Sequence, residues 1–198
     1  MSKPYVYERQ TEYWTSRGIE DYFLDSGYEV ITFPLTQRTE KSIPFDFIFC
    51  ETRSSKIFGL QYKTLYRNER DFWVLDESQH KNLQPFSNWG YYCFSEMKSS
   101  SDHRVAIHKA LFVPVKINYE SKVFPGNLDA LYYRWGGFIN GIERCTVGKI
   151  VNSKEEFEKL FDNNINKNEY ELNLLFDVFI ANLAKRRLLH FDGRNQTP

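Results

Sequence analysis

Apolar positions recur with period two through much of the first hundred residues, after one opening stretch of helical spacing. Arg9 to Asp25 carries Ile19, Tyr22 and Phe23 at core spacing and stops at Ser26-Gly27, which predicts a helix that Gly18 could break or kink. Strands are predicted over Tyr28 to Leu35, Ile43 to Cys50 and Ile57 to Tyr66, the last two joined by a polar turn at residues 51–56. Ser78 to Pro85 reads as a short helix and Trp89 to Phe94 as a fourth strand. Ala110 to Ile117 is a further strand, placed by Pro114 at an edge or bulge. Beyond Ser99, Tyr132 to Ile139 and Glu143 to Val151 read as strands around a turn. Lys154 to Asp162 is a short helix, residues 163–168 a polar linker, and Glu169 to Leu189 a long amphipathic helix with Leu172, Leu175, Phe176, Phe179 and Leu183 on one stripe. The expected class is α/β (α+β), with a mixed central sheet flanked by helices. Residues 1–98 would form a core, 99–153 a β-rich insertion or appended sheet, and 154–198 C-terminal helices packing on the core of one compact domain.

Composition narrows the function classes. The 198 residues suit a single domain with a sizeable core, and 17% aromatic content predicts that rings fill much of it. Lys plus Arg and Asp plus Glu number 26 each, which excludes a uniformly basic nucleic-acid coat. The balance is not even along the chain. Residues 99–150 carry seven cations against four anions, and residues 183–198 carry four against one, so a local basic track is the sharper expectation. No apolar run is long enough to span a bilayer and no signal-type region follows Met1, so a cytoplasmic location away from membranes is expected. Cys50, Cys93 and Cys145 are widely spaced and odd in number, which reads as three small buried hydrophobes. The four histidines lack metalloprotease spacing.

The chemistry-bearing constellation lies across the hairpin. Asp46 sits in Pro44-Phe45-Asp46-Phe47-Ile48-Phe49, and Gln61-Tyr62-Lys63 follows fifteen residues later. Strand alternation puts Asp46, Ile48 and Cys50 on one face and Phe45, Phe47 and Phe49 on the other, with Gln61 and Lys63 sharing a direction on the next strand. An acid, an amide and an amine then converge, and an Asp buried among phenylalanines is costly unless it is paired or binds a metal.

In these residues the sequence resembles the PD-(D/E)XK, or restriction-endonuclease-like, nuclease superfamily. There a helix supplies a Glu, a following hairpin an Asp and an acid-x-Lys triplet, and another helix and strand complete the core. Glu20 would be the helix acid, with Glu12, two turns earlier on much the same face, as the alternative. Asp46 matches the family Asp, and Gln61-Tyr62-Lys63 matches the triplet in a Gln variant similar to that of Mrr-type nucleases. The resemblance covers residues 9 to about 97. It implies cleavage of DNA leaving a 5′-phosphate, with Mg²⁺ or Mn²⁺ held by Asp46, Gln61, the Tyr62 backbone carbonyl and Glu20, and with Lys63 orienting water or stabilising charge. A setting in defence or in recombination and repair, and a homodimeric form, belong to the same analogy. Three other triplets fit the pattern: Gln79 to Lys81 on a polar helical segment, Glu120 to Lys122 in a charged loop, and Glu96 to Lys98 at the end of the fourth strand, which is the competitor; Gln61 to Lys63 is preferred because it lies inside an apolar strand one hairpin after a strand-borne Asp.

Each residue also has a plainer reading. Asp46 and Lys63 could form a structural salt bridge, with Gln61 a satisfied core amide and Glu20 a surface acid. Arg134 and Trp135 could contact phosphate and stack on a base, or simply pack. Arg144, Lys149, Lys185, Arg186 and Arg187 are the remaining candidate nucleic-acid contacts, although the last three also suit a helix C-terminus. The alternative to a nuclease is a non-catalytic module that keeps the fold and holds nucleic acid or a protein partner.

Overall fold

The computed structural model describes residues 2–35, 43–128, 132–161, 174–175 and 177–181. A two-residue strand β1 (Lys3–Pro4) leads into helix α1 (Glu8–Asp25), which runs unbroken through Gly18. The missing side chain there lets the 3₁₀ segment Ser100–Lys109 lie against the helix, since an added Cβ would sit 3.2 Å from the Ile107 Cβ. Strands β2 (Val30–Pro34), β3 (Phe47–Glu51) and β4 (Lys56–Lys63) form an antiparallel meander. Short pieces β5 (Tyr66–Arg67) and β6 (Trp73–Val74) lead to helix α2 (Glu77–Leu83), and β7 (Gly90–Ser95) returns parallel to β4. Strand β8 (Ala110–Pro114) closes the order β2-β3-β4-β7-β8 antiparallel to β7, at the edge that Pro114 predicts. After β9 (Lys122–Val123) come helix α3 (Trp135–Glu143), β10 (Lys149–Ile150), paired with the start of β4, and helix α4 (Lys154–Phe161).

The result is a mixed α+β fold with helices on both faces of a mixed sheet. Period-two alternation divides each strand between the faces. Phe49, Phe58, Leu60, Tyr62 and Phe112 pack with Ile19 and Phe23 of α1 and Phe138 of α3, while Ile48, Cys50, Ile57, Phe94 and Val113 pack with Leu83 of α2 and Phe157 and Phe161 of α4. Residues 174–175 and 177–181 are helical, and Leu175 and Phe179 from the predicted stripe are buried against the second face. Leu172, Phe176 and Leu183 lie outside the described residues or side chains.

Four expectations need correction. Glu143 to Val151 is strand only at Lys149–Ile150, because Glu143 still belongs to α3 and the chain turns over residues 144–148. Tyr132 to Ile139 is not a strand: Trp135, Phe138, Ile139 and Ile142 recur at helical spacing, and burying that stripe outweighs the roughly 1 kcal/mol each that Gly136 and Gly137 cost inside a helix. Cys50 and Cys93 are buried, but Cys145 is exposed just after α3, at φ 60°. Phe45 does not share a face with Phe47 and Phe49, because β3 begins only at Phe47 and the chain bends at Asp46. Its ring instead fills the space above Gly59 and Gly90 and packs on Phe86 and Trp89.

An added Cβ at Gly59 or at Gly90 would lie 2.7 Å from the Phe45 ring, closer than any carbon contact allows. Gly59→Ala is therefore expected to destabilise the fold by about 1–3 kcal/mol in urea denaturation. A change under about 0.5 kcal/mol, the range of ordinary surface substitutions, would contradict this packing.

Candidate active site

Where β3 bends away, β4 is left with backbone groups that no strand among the described residues covers. The Asp46 N–H still bonds to the Leu60 carbonyl at 3.0 Å, and the next N–H on that side of β4 belongs to Tyr62. The Asp46 carboxylate takes the place of the missing strand: its Oδ2 accepts from the Tyr62 N–H at 2.6 Å and from the Gln61 Nε2 at 2.8 Å. Carbonyls alternate sides along a strand, so the Tyr62 carbonyl points to the same side as that of Leu60, past the last β3–β4 pair at Phe47 and Leu60. Asp46, Gln61 and Lys63 are all buried, at 9%, 2% and 8% exposure.

Helix α1 brings acids to this point. Glu8, Glu12 and Ser16 recur every four residues and so share one side of the helix. The Ser16 hydroxyl is 2.8 Å from the Tyr62 hydroxyl in the buried interface, which fixes α1 on β4 at the triplet itself. Lys63 Nζ lies 4.0 Å from Glu8 Oε1. The Asp46 carboxyl is pushed up to about 8, first by burial and then by the Glu12 carboxylate, with a smaller push from Glu8; Lys63 and the Tyr62 N–H act the other way. An acid, an amide, an amine and two helix carboxylates thus act on one small region.

Glu20 is not part of it. It lies about 12 Å further along the α1 axis than Glu12, where its ion partner is Arg17 at 3.8 Å. The helix acids that act on Asp46 are Glu12 and Glu8. The sequence offers Glu12 as the alternative to Glu20; Glu8 and Ser16 lie four residues to either side of Glu12, on the same side of the helix.

The residues present fit a divalent cation in one respect and strain against it in another. Among the described residues Gln61 Oε1 is a buried acceptor without a partner, and the two donors to the Asp46 carboxyl both reach Oδ2, so oxygens of the right hardness are unspent there. On the other side, Gln61 presents its Nε2 to Asp46, and among the described residues no three His, Cys, Asp or Glu side chains are grouped as a metal cage.

The remaining candidates fall elsewhere. Trp135 is 3% exposed and packs on Tyr22, Phe112 and Phe138, so it offers no face to a base. Arg134 precedes α3 and is ion-paired with Glu96. Arg144 and Lys149 are exposed beyond α3. Lys185, Arg186 and Arg187 lie outside the described residues. The competing triplets disperse: Gln79 to Lys81 is in α2, Glu96 pairs with Arg134 while Lys98 pairs with Asp71, and Lys122 is in β9. His80 belongs to α2, where its Nδ1 is 2.9 Å from the Tyr92 hydroxyl. Among the described residues no helix is long and apolar enough to cross a membrane.

No family model matches the chain, and neither a curated protein nor a solved structure matches it.

Proposed function

We propose that the protein is a metal-dependent phosphodiesterase that cuts nucleic acid, DNA by the resemblance of its motif, with Asp46, Gln61, Tyr62 and Lys63 at the centre and Glu12 as the helix acid. The observation that carries this reading is the Asp46–Gln61 pair beside Lys63, with a buried and unspent Gln61 Oε1, at the point where β3 and β4 part. The chain order supports it: a helix, an antiparallel meander bearing the Asp and the triplet, a second helix, and a strand parallel to the triplet strand resemble the PD-(D/E)XK core.

Asp46, the Gln61 Oε1, the Tyr62 carbonyl and Glu12 are the groups that would hold Mg²⁺ or Mn²⁺, which when bound supplies a charge that polarises a phosphate and lowers the pKa of water. To hold the cation Asp46 would have to release its proton, because burial and Glu12 push its carboxyl up to about 8. Lys63, held over the site by burial and by Glu8, donates to a phosphate oxygen or to the attacking water. The Tyr62–Ser16 bond keeps the helix acids in register with the triplet.

A second reading has its own support. Burial and Glu12 push the Asp46 carboxyl up to about 8, and its Oδ2 already accepts from two donors, which suits a buried polar network in a binding module that holds nucleic acid without cutting it. Incubation with plasmid, single-stranded DNA and RNA in Mg²⁺ or Mn²⁺, against chelator, separates the two. Metal-dependent cutting is expected; its absence on every substrate favours the module. Within the nuclease reading, Glu12→Gln is expected to slow cutting by about 10–100-fold, as loss of a metal-site group does, while Glu20→Gln leaves it unchanged. The reverse order in a timed plasmid assay would return the helix-acid role to Glu20.

A further inference from the structure

Past the triplet the chain continues through Thr64 and Leu65 into β5, where Arg67 is four residues, at most about 13 Å, from Lys63. The segment that leads into α1 runs beside it. The Tyr5 N–H bonds to the Leu65 carbonyl at 3.0 Å, and the Thr64 hydroxyl donates to the Val6 carbonyl at 2.5 Å. Phe72, one residue before β6, bridges to Tyr66, and β6 pairs with β9. The triplet strand and the acid-bearing helix therefore meet in one corner of the molecule, built from residues 3–5, 66–72 and 122–124 with Lys98 against them.

In this corner rings carry cations. The Arg67 guanidinium lies 4.6 Å over the Tyr5 ring and the Lys98 amine 5.5 Å over the same ring, Arg70 lies 5.0 Å over Phe124, and Lys122 lies 4.9 Å over Phe72. Of the five such contacts among the described residues, four fall here; the fifth, Arg53 over Tyr28, is at the β3–β4 turn. The rings are fixed in turn, since Phe72 stacks on Tyr66 at 5.8 Å and lies 6.1 Å from Phe124. All four cationic residues are exposed. A cation already resting on a fixed ring has less freedom to lose when it meets an anion.

The charge is unbalanced. Lys3, Arg67, Arg70, Lys98 and Lys122 face two acids, Glu69 and Asp71. Asp71 is committed to Lys98 at 2.7 Å and to the Tyr5 hydroxyl at 3.1 Å. Lys3, Arg67, Arg70 and Lys122 make no ion pair among the described residues.

We infer that this corner binds the sugar-phosphate backbone of a nucleic-acid strand, resting on the phosphodiesterase reading only for where the strand leads, which is to Lys63. Because the rings carry cations and not bases, the contacts go to phosphate, and binding is indifferent to base sequence. Duplex and single strand offer the same phosphates.

Fluorescence anisotropy in chelator, with a labelled duplex and with one of its strands alone, measures binding without metal-dependent cutting. Binding at about 0.1 M salt is expected to weaken as salt rises. Arg67→Gln, Arg70→Gln and Lys122→Gln together should weaken it at least about tenfold and lower the slope of log affinity against log salt by about two to three. Arg67→Lys with Arg70→Lys keeps the charge and should keep the slope. Arg53→Gln removes a ring-held cation at the opposite end of β4 and should leave binding unchanged. Whichever of the duplex and the single strand loses affinity in the triple variant is the form that the corner holds. Binding of neither, an equal loss in Arg53→Gln or in the charge-keeping pair, or competition by poly-glutamate as strong as by unlabelled DNA at equal charge, which would assign the corner to an acidic protein, would each overturn the inference. Binding that depends on these cations without cutting in metal would remove the nuclease reading alone; cutting and binding that both survive the triple change would remove the corner alone.

Discussion

Asp46→Asn and Lys63→Ala are each expected to lower metal-dependent cutting of DNA by roughly 10²–10³-fold, and they should do so in different ways. Asparagine keeps an oxygen for the Tyr62 N–H, so the ladder end at the bend survives, but it removes the charge that a cation needs. Its defect should appear as weaker metal binding and should be relieved in part by high Mn²⁺. Lys63 holds no metal; its loss removes a donor and leaves the Glu8 carboxylate without its cation. That defect should persist at saturating metal. Metal titrations of the cutting rate for the two variants check the distinction, and cutting that survives both substitutions would remove Asp46 and Lys63 from the active site.

The second large effect concerns stability. The Asp46 carboxyl stands at about 8 in the folded protein against an ordinary 3.8, so the folded state holds a proton that the unfolded chain releases. A raised folded-state value means that the stabilisation is fully present below about pH 4 and is lost as pH rises through about 8. Within that window the metal-free protein should lose up to about 1.4 kcal/mol of stability per pH unit through this one group. Urea denaturation in chelator from pH 4 to pH 9, on wild type and on Asp46→Asn, isolates it: the difference between the two curves should slope in favour of the variant as pH rises. Parallel curves would mean that Asp46 is not held neutral. On the proposed cation site, saturating Mg²⁺ should flatten the wild-type slope, because the cation would take the place of the proton.

Most of the central sheet is legible in the sequence because period two is a strong signal where one face is buried: the meander, the β7 strand and the Pro114 edge follow from it. What fails is instructive. Tyr132 to Ile139 looks like a strand because it is aromatic and holds Gly136-Gly137, and only the spacing of Trp135, Phe138, Ile139 and Ile142 reveals the helix. Strict alternation also misplaces Phe45, because a strand start at Phe47 is a property of the bend and not of the pattern. That bend is what frees the Asp46 carboxylate to act as a substitute strand partner. The Gln61-Tyr62-Lys63 triplet stands out in the sequence by its place in an apolar strand, one hairpin after Asp46. The choice between Glu12 and Glu20 as the proposed helix acid is not legible in the sequence, since it depends on where Ser16 meets Tyr62, a contact between residues 46 positions apart.

The central claim is that Asp46, Gln61 and the Tyr62 carbonyl, with Glu12 from α1, form one cation site beside Lys63. Anomalous diffraction from crystals of the protein grown with Mn²⁺ tests it most directly. The account predicts a manganese peak bound by Asp46 and by the oxygen of Gln61, with Lys63 alongside and Glu20 remote. A peak bound elsewhere, or none at saturating Mn²⁺ with Gln61 still donating to Asp46, would contradict it.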